Sequence, residues 1–517
     1  MMSCELDLND IVTEFLLNTC RPCQRSQSKH AVWAALCCSV LTTWRLRDEE
    51  DTEHILIPLT TGSVAEFYIE PMLPHVGDID VMFHRDDQLA IPRGHPPPTH
   101  LPAEFHNYVQ VHEIIDSHLP GYVYLGLRYL LTECSDDNYN ALEHGRGLYL
   151  SNEPVCRVAE IHGPALVARH GSPQNNSIPL STDLVRCVRC LSWPPQAASW
   201  PTRHRNYGCP DSATLNRVVN NGCDVVGVAH RQYRQDERMS ERQWRLSFSR
   251  AEIVLINSWM PVQQIVYHVL RYFIKTERLT DCADNFGAGT LSNYHIKTLM
   301  LWACELKPRS WWTDDVDLVR VCVQLLHDLA EWLTYRQCRH YFISNCNLID
   351  NYSFSVTNVR DKLMSIDETW LSTWFVNNYI RACFQLNDCP RNISRLFDDV
   401  TTRVKLQNAV SSLVAWRWNS QLSVLDLWIA FDDAEFQIPS RLYRCPLTAR
   451  SCVCWMTEWT KIDSCLSVYF TAVAFLHVAS RSLRHGFNDE LMDILAAVSS
   501  KIWLVLAQLT FLTKKID

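Results

Sequence analysis

Apolar positions recur at helical spacing near the start of the chain: Ile11, Phe15 and Leu16, then Val32, Ala35, Leu36 and Val40. This spacing predicts a long helix or helical pair over residues 10–47, leading into a sheet. Residues 53–83 read as strand, turn, strand. Residues 88–105 hold five prolines and are expected to form an irregular surface loop. Strand-like runs follow at Gly121–Leu131, Val155–Val158 and Asp183–Leu191, and Gly171–Pro179 reads as a polar loop. From Leu215 onward the helical pattern dominates. Arg250–Ile274 reads as a helix broken at Pro261, and Tyr294–Leu306 and Asp314–Leu333 as further amphipathic helices. Residues 359–387, 396–420 and 460–513 continue in helical style, with 435–460 as a linker or capping turn. The expected fold class is α+β: a mixed-sheet lobe, then a helical lobe, then extra C-terminal helices.

Composition narrows the picture without changing it. A chain of 517 residues has room for two or three domains, and 47% hydrophobic with 20% charged content fits an ordinary globular protein. A formal net charge of −9 argues against a surface that is basic all over, and so against a general nucleic-acid-binding protein. Charge is nonetheless uneven, with nine arginines against five acids between Arg203 and Arg250. The 22 cysteines are scattered, and Met1–Asp10 is acidic and polar with no visible secretory signal. Free thiols in a reducing, cytoplasmic setting are therefore expected. The pair Cys187 and Cys190 lies on a predicted strand with its side chains on opposite faces, and Cys20-Arg21-Pro22-Cys23 has no second pair at zinc-finger spacing. No structural zinc is expected. No apolar run reaches the roughly twenty residues of a membrane span, and Ile502–Leu512 reads as a buried helix, so no membrane partner is expected.

The chemistry concentrates at Asp78-Ile79-Asp80-Val81-Met82-Phe83, downstream of Gly62-Ser63. Two carboxylates at i and i+2 on a strand share one face, and their repulsion is costly unless a cation sits between them. A Gly-Ser turn offers backbone N–H groups and a hydroxyl to a phosphate. Together these features read as a Mg²⁺-dependent (or Mn²⁺-dependent) nucleotide site.

The flanking segments carry a resemblance. Thr61-Gly62-Ser63-Val64-Ala65-Glu66 and Gly77–Phe83 resemble the catalytic half of the nucleotidyltransferase family of cyclic GMP-AMP synthase and its Mab-twenty-one relatives. Ser181-Thr182-Asp183-Leu184-Val185 ahead of Leu191-Ser192-Trp193-Pro194, then Trp244-Arg245-Leu246-Ser247-Phe248-Ser249, then Leu291-Ser292-Asn293-Tyr294-His295-Ile296-Lys297-Thr298, resemble further motifs in the same order. The resemblance spans roughly residues 28–351. It implies a nucleotidyltransferase lobe at 51–214 and a helical lobe at 215–351, to which the helical patterning adds an N-terminal helical region at 1–50 and an additional helical module at 352–517.

It also implies roles. Asp78, Asp80 and Asp183 would hold two metal ions, one activating a ribose hydroxyl and the other stabilising departing pyrophosphate. Thr61, Gly62 and Ser63 would grip the triphosphate. Arg245, Ser247, Ser249 and Glu252 would bind phosphate or read a base. Arg271 and Ser292 would contact phosphate, and Tyr294 would stack on a base. The expected substrates are nucleoside triphosphates such as ATP and GTP, joined into a cyclic dinucleotide by an innate-immune enzyme. Glu252–Arg271 has no cysteine and a single histidine, His268, so the zinc-binding thumb of cyclic GMP-AMP synthase is missing. Double-stranded RNA or an unknown ligand is the expected activator. The alternative is a catalytically silent Mab-twenty-one-type interaction protein that keeps the fold and its nucleotide binding.

Overall fold

The computed structural model describes residues 7–20, 56–62, 66, 79–102, 105–135, 138–145, 148–152, 160–162, 165–170, 180–230, 241–279, 291–314, 316–349, 357–385, 395–396, 400 and 402–419. Among these, eleven strands form one mixed sheet: β1 (Leu56–Thr61), β2 (Ile79–Arg85), β3 (Gln88–Pro92), β4 (Tyr108–Asp116), β5 (Tyr122–Ser135), β6 (Asn138–Glu143), β7 (Glu160–His162), β8 (Ala165–His170), β9 (Leu180–Cys190), β10 (Cys223–Val226) and β11 (Gln243–Ser247). The expected α+β class is therefore the observed one.

The long strand β9 organises the sheet. Its first half runs parallel to β2 and antiparallel to β8. Its second half pairs antiparallel with β10 and parallel with β3. The path β9-β10-β11-β5-β4-β3 thus returns to β9. This closure corrects the expectation for residues 88–105. Gln88–Pro92 is a strand with all five residues buried, and its ladder partners are β4 and β9. Proline density marks the stretch after Pro92 correctly. It misleads for Leu89, Ala90 and Ile91, which are at most 6% exposed. Leu89 and Ile91 join Leu101, Phe105, Val109, Val111, Leu131 and Tyr139 in a small separate core.

Among the described residues there are ten α-helices, in chain order α1 (Leu8–Thr19), α2 (Ser212–Asn220), α3 (Ser249–Asn257), α4 (Pro261–Thr276), α5 (Asn293–Leu306), α6 (Leu318–Thr334), α7 (Thr357–Met364), α8 (Glu368–Trp374), α9 (Arg381–Gln385) and α10 (Arg403–Asn419). A π-helical turn, Phe375–Ile380, joins α8 to α9. The break between α3 and α4 falls at Pro261, as the sequence predicts, because proline suits a first helical turn and not an interior one. The Gln263 side chain accepts the Met260 amide there at 2.8 Å.

Helix α1 is sharply begun. Asp7 accepts the Leu8 amide at 2.6 Å, and Asp10 accepts the Asp7 amide at 3.3 Å. Its buried stripe, Ile11, Val12, Phe15 and Leu16, packs on α6, α8 and α10 as well as α4. The N-terminal helix therefore leans on the later helices, where a feed directly into the sheet was expected. Helix α4 is buried from Val262 to Ile274 and forms the axis of the helical part. Residues 435–460 and 460–513, Val155–Val158, and the part of 10–47 beyond Cys20 lie outside the described residues. Among the described residues no helix is long and apolar enough to cross a membrane.

Candidate active site

Strands β2 and β9 lie side by side in parallel, with Asp80 paired to Asp183. Register partners on adjacent strands project to the same face, with backbones about 4.8 Å apart. Both acids are partly exposed. Oxygen donors so placed match the ligand preference of Mg²⁺ or Mn²⁺. Asp78 and Ser63 lie outside the described residues.

The turn after β1 closes on the same carboxylate. Thr61 is the antiparallel partner of Asp80, and its hydroxyl donates to the Asp80 carbonyl oxygen at 3.3 Å. Gly62 follows with φ +64. A β-carbon built on Gly62 would fall 1.9 Å from Asp80 Oδ2. Only glycine lets the backbone meet this carboxylate, and only glycine adopts that φ without strain. The structure thus brings together Thr61, Gly62, Asp80 and Asp183.

A second group sits where β11 runs into α3. Ser247 Oγ lies 3.6 Å from Met82 Sδ, and Met82 is two residues beyond Asp80 on the same face of β2. Ser247 and Ser249 hydroxyls are 3.1 Å apart. Arg245, two residues before Ser247, is exposed. The start of α3 is anchored from below. Arg250 Nε donates to Asp224 Oδ2 at 2.7 Å, and both side chains are fully buried.

The third group lies on α3, α4 and α5. Glu252 is 3% exposed and receives Lys297 Nζ at 2.8 Å. Lys297 also donates to Glu66, whose other oxygen accepts the Tyr267 hydroxyl at 2.9 Å. Burial lowers the affinity of Lys297 for its proton, but the pull of Glu252 and Glu66 more than reverses this and holds it well above the usual lysine range. Arg271 is nearly buried, with its guanidinium 5.4 Å from the centre of the Tyr267 ring. Ser292 lies just ahead of α5, and its hydroxyl is 3.0 Å from His295 Nδ1.

Tyr294 is oriented by a chain whose tautomers follow from geometry. His340 Nδ1 accepts the backbone amides of Phe342 and Ile343, each at 3.1 Å. The ring proton must then sit on Nε2, which donates to the Tyr294 hydroxyl at 3.1 Å. The charges of Glu252 and Lys297 lie near it, with Lys297 Nζ 5.9 Å from the centre of the Tyr294 ring. Burial, and then the Glu252 charge, push the Tyr294 phenol well above its ordinary range. Burial pushes His340 down to about 3, with Arg245 adding to the effect. Glu66, Tyr267 and His340 were given no role by motif reading. Glu66 and Lys297 stand inside quoted motifs, but nothing local signals that they meet.

Eight of the eleven cysteines among the described residues are buried. Cys187 Sγ donates to the Phe83 carbonyl at 3.4 Å and Cys190 Sγ to the Ser192 carbonyl at 3.3 Å, so the two thiols serve different partners. Several of the arginines in 203–250 are internal ties. Arg203 holds Glu305 at 2.6 Å and lies over the rings of Trp302 and Tyr341.

Comparison with known proteins agrees with this architecture. Residues 151–258 match the Mab-21 protein nucleotidyltransferase domain, and residues 263–365 match the Mab-21 protein HhH/H2TH-like domain. The first segment contains Asp183, Arg245, Ser247, Ser249 and Glu252, and the second contains Arg271, Ser292 and Tyr294. These two segments are a Mab-21 family nucleotidyltransferase domain and C-terminal domain, homologous to Mab-21-like proteins. The chain is 27% identical over 191 residues to protein mab-21-like 3 of Danio rerio, covering 36% of this chain and 42% of that protein. It is 26% identical over 155 residues to protein mab-21-like of Drosophila melanogaster, covering 29% and 39% respectively. It is 25% identical over 163 residues to protein male abnormal 21 of Caenorhabditis briggsae, covering 30% and 42%. The matches span about two fifths of the length of these relatives.

Proposed function

We propose that this protein is a nucleotidyltransferase that joins two nucleoside triphosphates, such as ATP and GTP, into a cyclic dinucleotide. The observation that carries this reading is the register pairing of Asp80 with Asp183 beside the Gly62 turn. Asp80 and Asp183, with Asp78, would hold Mg²⁺ or Mn²⁺. The bound ions would activate the attacking hydroxyl and offset charge on the leaving pyrophosphate. The Gly62 backbone, with no side chain in the way, would approach the phosphates, and Thr61 ties β1 to the strand that carries Asp80. Ser247 and Ser249 present hydroxyls beside β2, and Arg245 supplies an exposed guanidinium suited to phosphate or a base face. Asp183 would accept the proton of the attacking hydroxyl. Activation by double-stranded RNA or another ligand, and a role in innate immunity in the cytoplasm, complete the reading.

A second reading is a nucleotide-binding protein without turnover. It draws support from Glu252, which is occupied by Lys297, and from Arg271, which is nearly buried. These groups are committed to protein partners that a second substrate would have to displace.

One experiment separates the two. Purified protein is incubated with the four triphosphates, Mg²⁺ or Mn²⁺ and a panel of nucleic acids, and products are resolved by chromatography. Binding of a non-hydrolysable triphosphate is measured beside it. A new product that disappears in Asp80→Asn supports the transferase. Metal-dependent binding without product supports the silent reading. Absence of both rejects the site.

A further inference from the structure

Glu66, Lys297, Glu252 and Tyr267 form an ionic knot whose members come from four places in the chain. Glu66 follows the Gly62 turn by four residues, Glu252 lies on α3, Tyr267 on α4 and Lys297 one turn into α5. Glu66 is 1% exposed, and the Lys297 side chain 12%. Two carboxylates meet one ammonium, so the knot is overall anionic. The Arg271 guanidinium adds positive charge from the far side of Tyr267.

Such a knot is a poor device for stability alone. Burying three charges carries a desolvation cost that apolar side chains of the same volume would avoid. What it supplies is fixed geometry. Lys297 has its ammonium between Glu66, in the segment behind the phosphate turn, and Glu252, and it lies 5.9 Å from the centre of the Tyr294 ring one turn back on the same helix. We propose that Lys297 is a positioning residue, locking the Gly62 turn to the Tyr294 helix so that the phosphate and base halves of a nucleotide site keep one spacing. This rests on the reading of the site as a nucleotide site. Lys297 acts through Glu66 and Glu252 and touches no reacting atom. Displacement of a phosphate cradle by an ångström relative to a base stack is enough to lose much of the benefit of holding both ends of a ligand.

The test uses Lys297→Met, Glu66→Gln, the double variant and Lys297→Arg in the full chain. Glu66→Gln keeps an acceptor for Tyr267 and removes the charge. Affinity for a non-hydrolysable triphosphate and for the matching nucleoside is measured with Mg²⁺, alongside the melting temperature. Each single change is expected to weaken triphosphate binding by roughly tenfold or more, and the double change no further than the worse single. Nucleoside binding should fall much less, because the base half keeps Tyr294 and its His340 partner. Lys297→Arg, which keeps the charge, should restore most of the triphosphate affinity. Triphosphate affinity within about twofold of the parent in folded Lys297→Met and Glu66→Gln overturns the proposal, as do losses that simply multiply in the double variant.

If the parent protein binds no nucleotide, the reading of the site fails, and the link itself is still measurable. Amide hydrogen exchange in β1 (Leu56–Thr61) and in the first turn of α5 (Asn293–Lys297) should accelerate together in Glu66→Gln. Acceleration in one without the other shows that the knot does not couple them.

Discussion

Asp80 and Asp183 are direct partners across two parallel strands, and Thr61 is the partner of Asp80 on its other side. Three positions remote in sequence are thereby fixed on one sheet face by backbone pairing alone. Asp80→Asn and Asp183→Asn should each remove the thermal stabilisation that Mn²⁺ plus a triphosphate analogue confers. At a ligand concentration about a hundred times its Kd, that stabilisation is about 2.7 kcal/mol. Glu143→Gln, an exposed acid on β6, should leave it intact. A full thermal shift in Asp183→Asn would remove Asp183 from the metal set.

Gly62→Ala carries a double cost. The backbone sits at φ +64, and the new methyl would meet Asp80 Oδ2 well inside contact distance. Left-handed backbone at a non-glycine residue costs on the order of 1–2 kcal/mol, to which displacement of the carboxylate adds. The expected result is a modest fall in melting temperature with a large loss of metal-dependent triphosphate binding. By contrast, Gly94→Ala, at φ +77 with open space around it, should lower stability by backbone strain alone and leave binding unchanged. Equal effects on binding from both substitutions would deny the close approach at Gly62 any special part.

The strand that carries Asp80 and the turn at Gly62 were legible because their constraints are local. Alternation along a strand and a glycine in left-handed backbone each need only their own short segment. The helical segments from Arg250 onward were legible in part because α6 repeats its buried positions at the helical period. Gln88–Pro92 was not, since its strand character comes from β4 and β9, which no local window contains. The knot at Lys297 was hidden for the same reason. A lysine between helical neighbours looks solvated until the fold delivers Glu66 from the other lobe. Motif reading gave Glu252 a base to contact, and the structure gives it Lys297.

The Asp224–Arg250 pair has no exposed surface on either side chain. Asp224 sits on β10 opposite Ser247, so the pair ties the sheet to the first turn of α3. Removing one partner leaves the other charge buried, which costs about 3–5 kcal/mol. Asp224→Ala should therefore lower the unfolding free energy by that order in denaturant titrations. Replacing both residues with apolar side chains of matched volume should recover much of the loss. A single variant that costs less than about 1 kcal/mol would mean that water reaches the pair.

Acid should weaken the fold through two buried histidines. Burial holds His112 down to about 4 and His340 down to about 3, against an ordinary value of 6.5. Above that ordinary value both states are neutral, and neither residue makes stability depend on pH. As pH falls below it, the unfolded chain takes up protons that the folded chain excludes, so stability declines through the window from about 6.5 to the folded values. Each histidine contributes on the order of a few kcal/mol if its whole shift is realised, at 1.36 kcal/mol per pKa unit. His340 matters further because a protonated Nδ1 could no longer accept the Phe342 and Ile343 amides, and the chain that orients Tyr294 would come apart. Urea unfolding measured from neutral pH to about pH 4.5 should show the steepening, and His340→Gln should reduce the slope by close to one proton. A slope unchanged in that variant would place the acid sensitivity elsewhere.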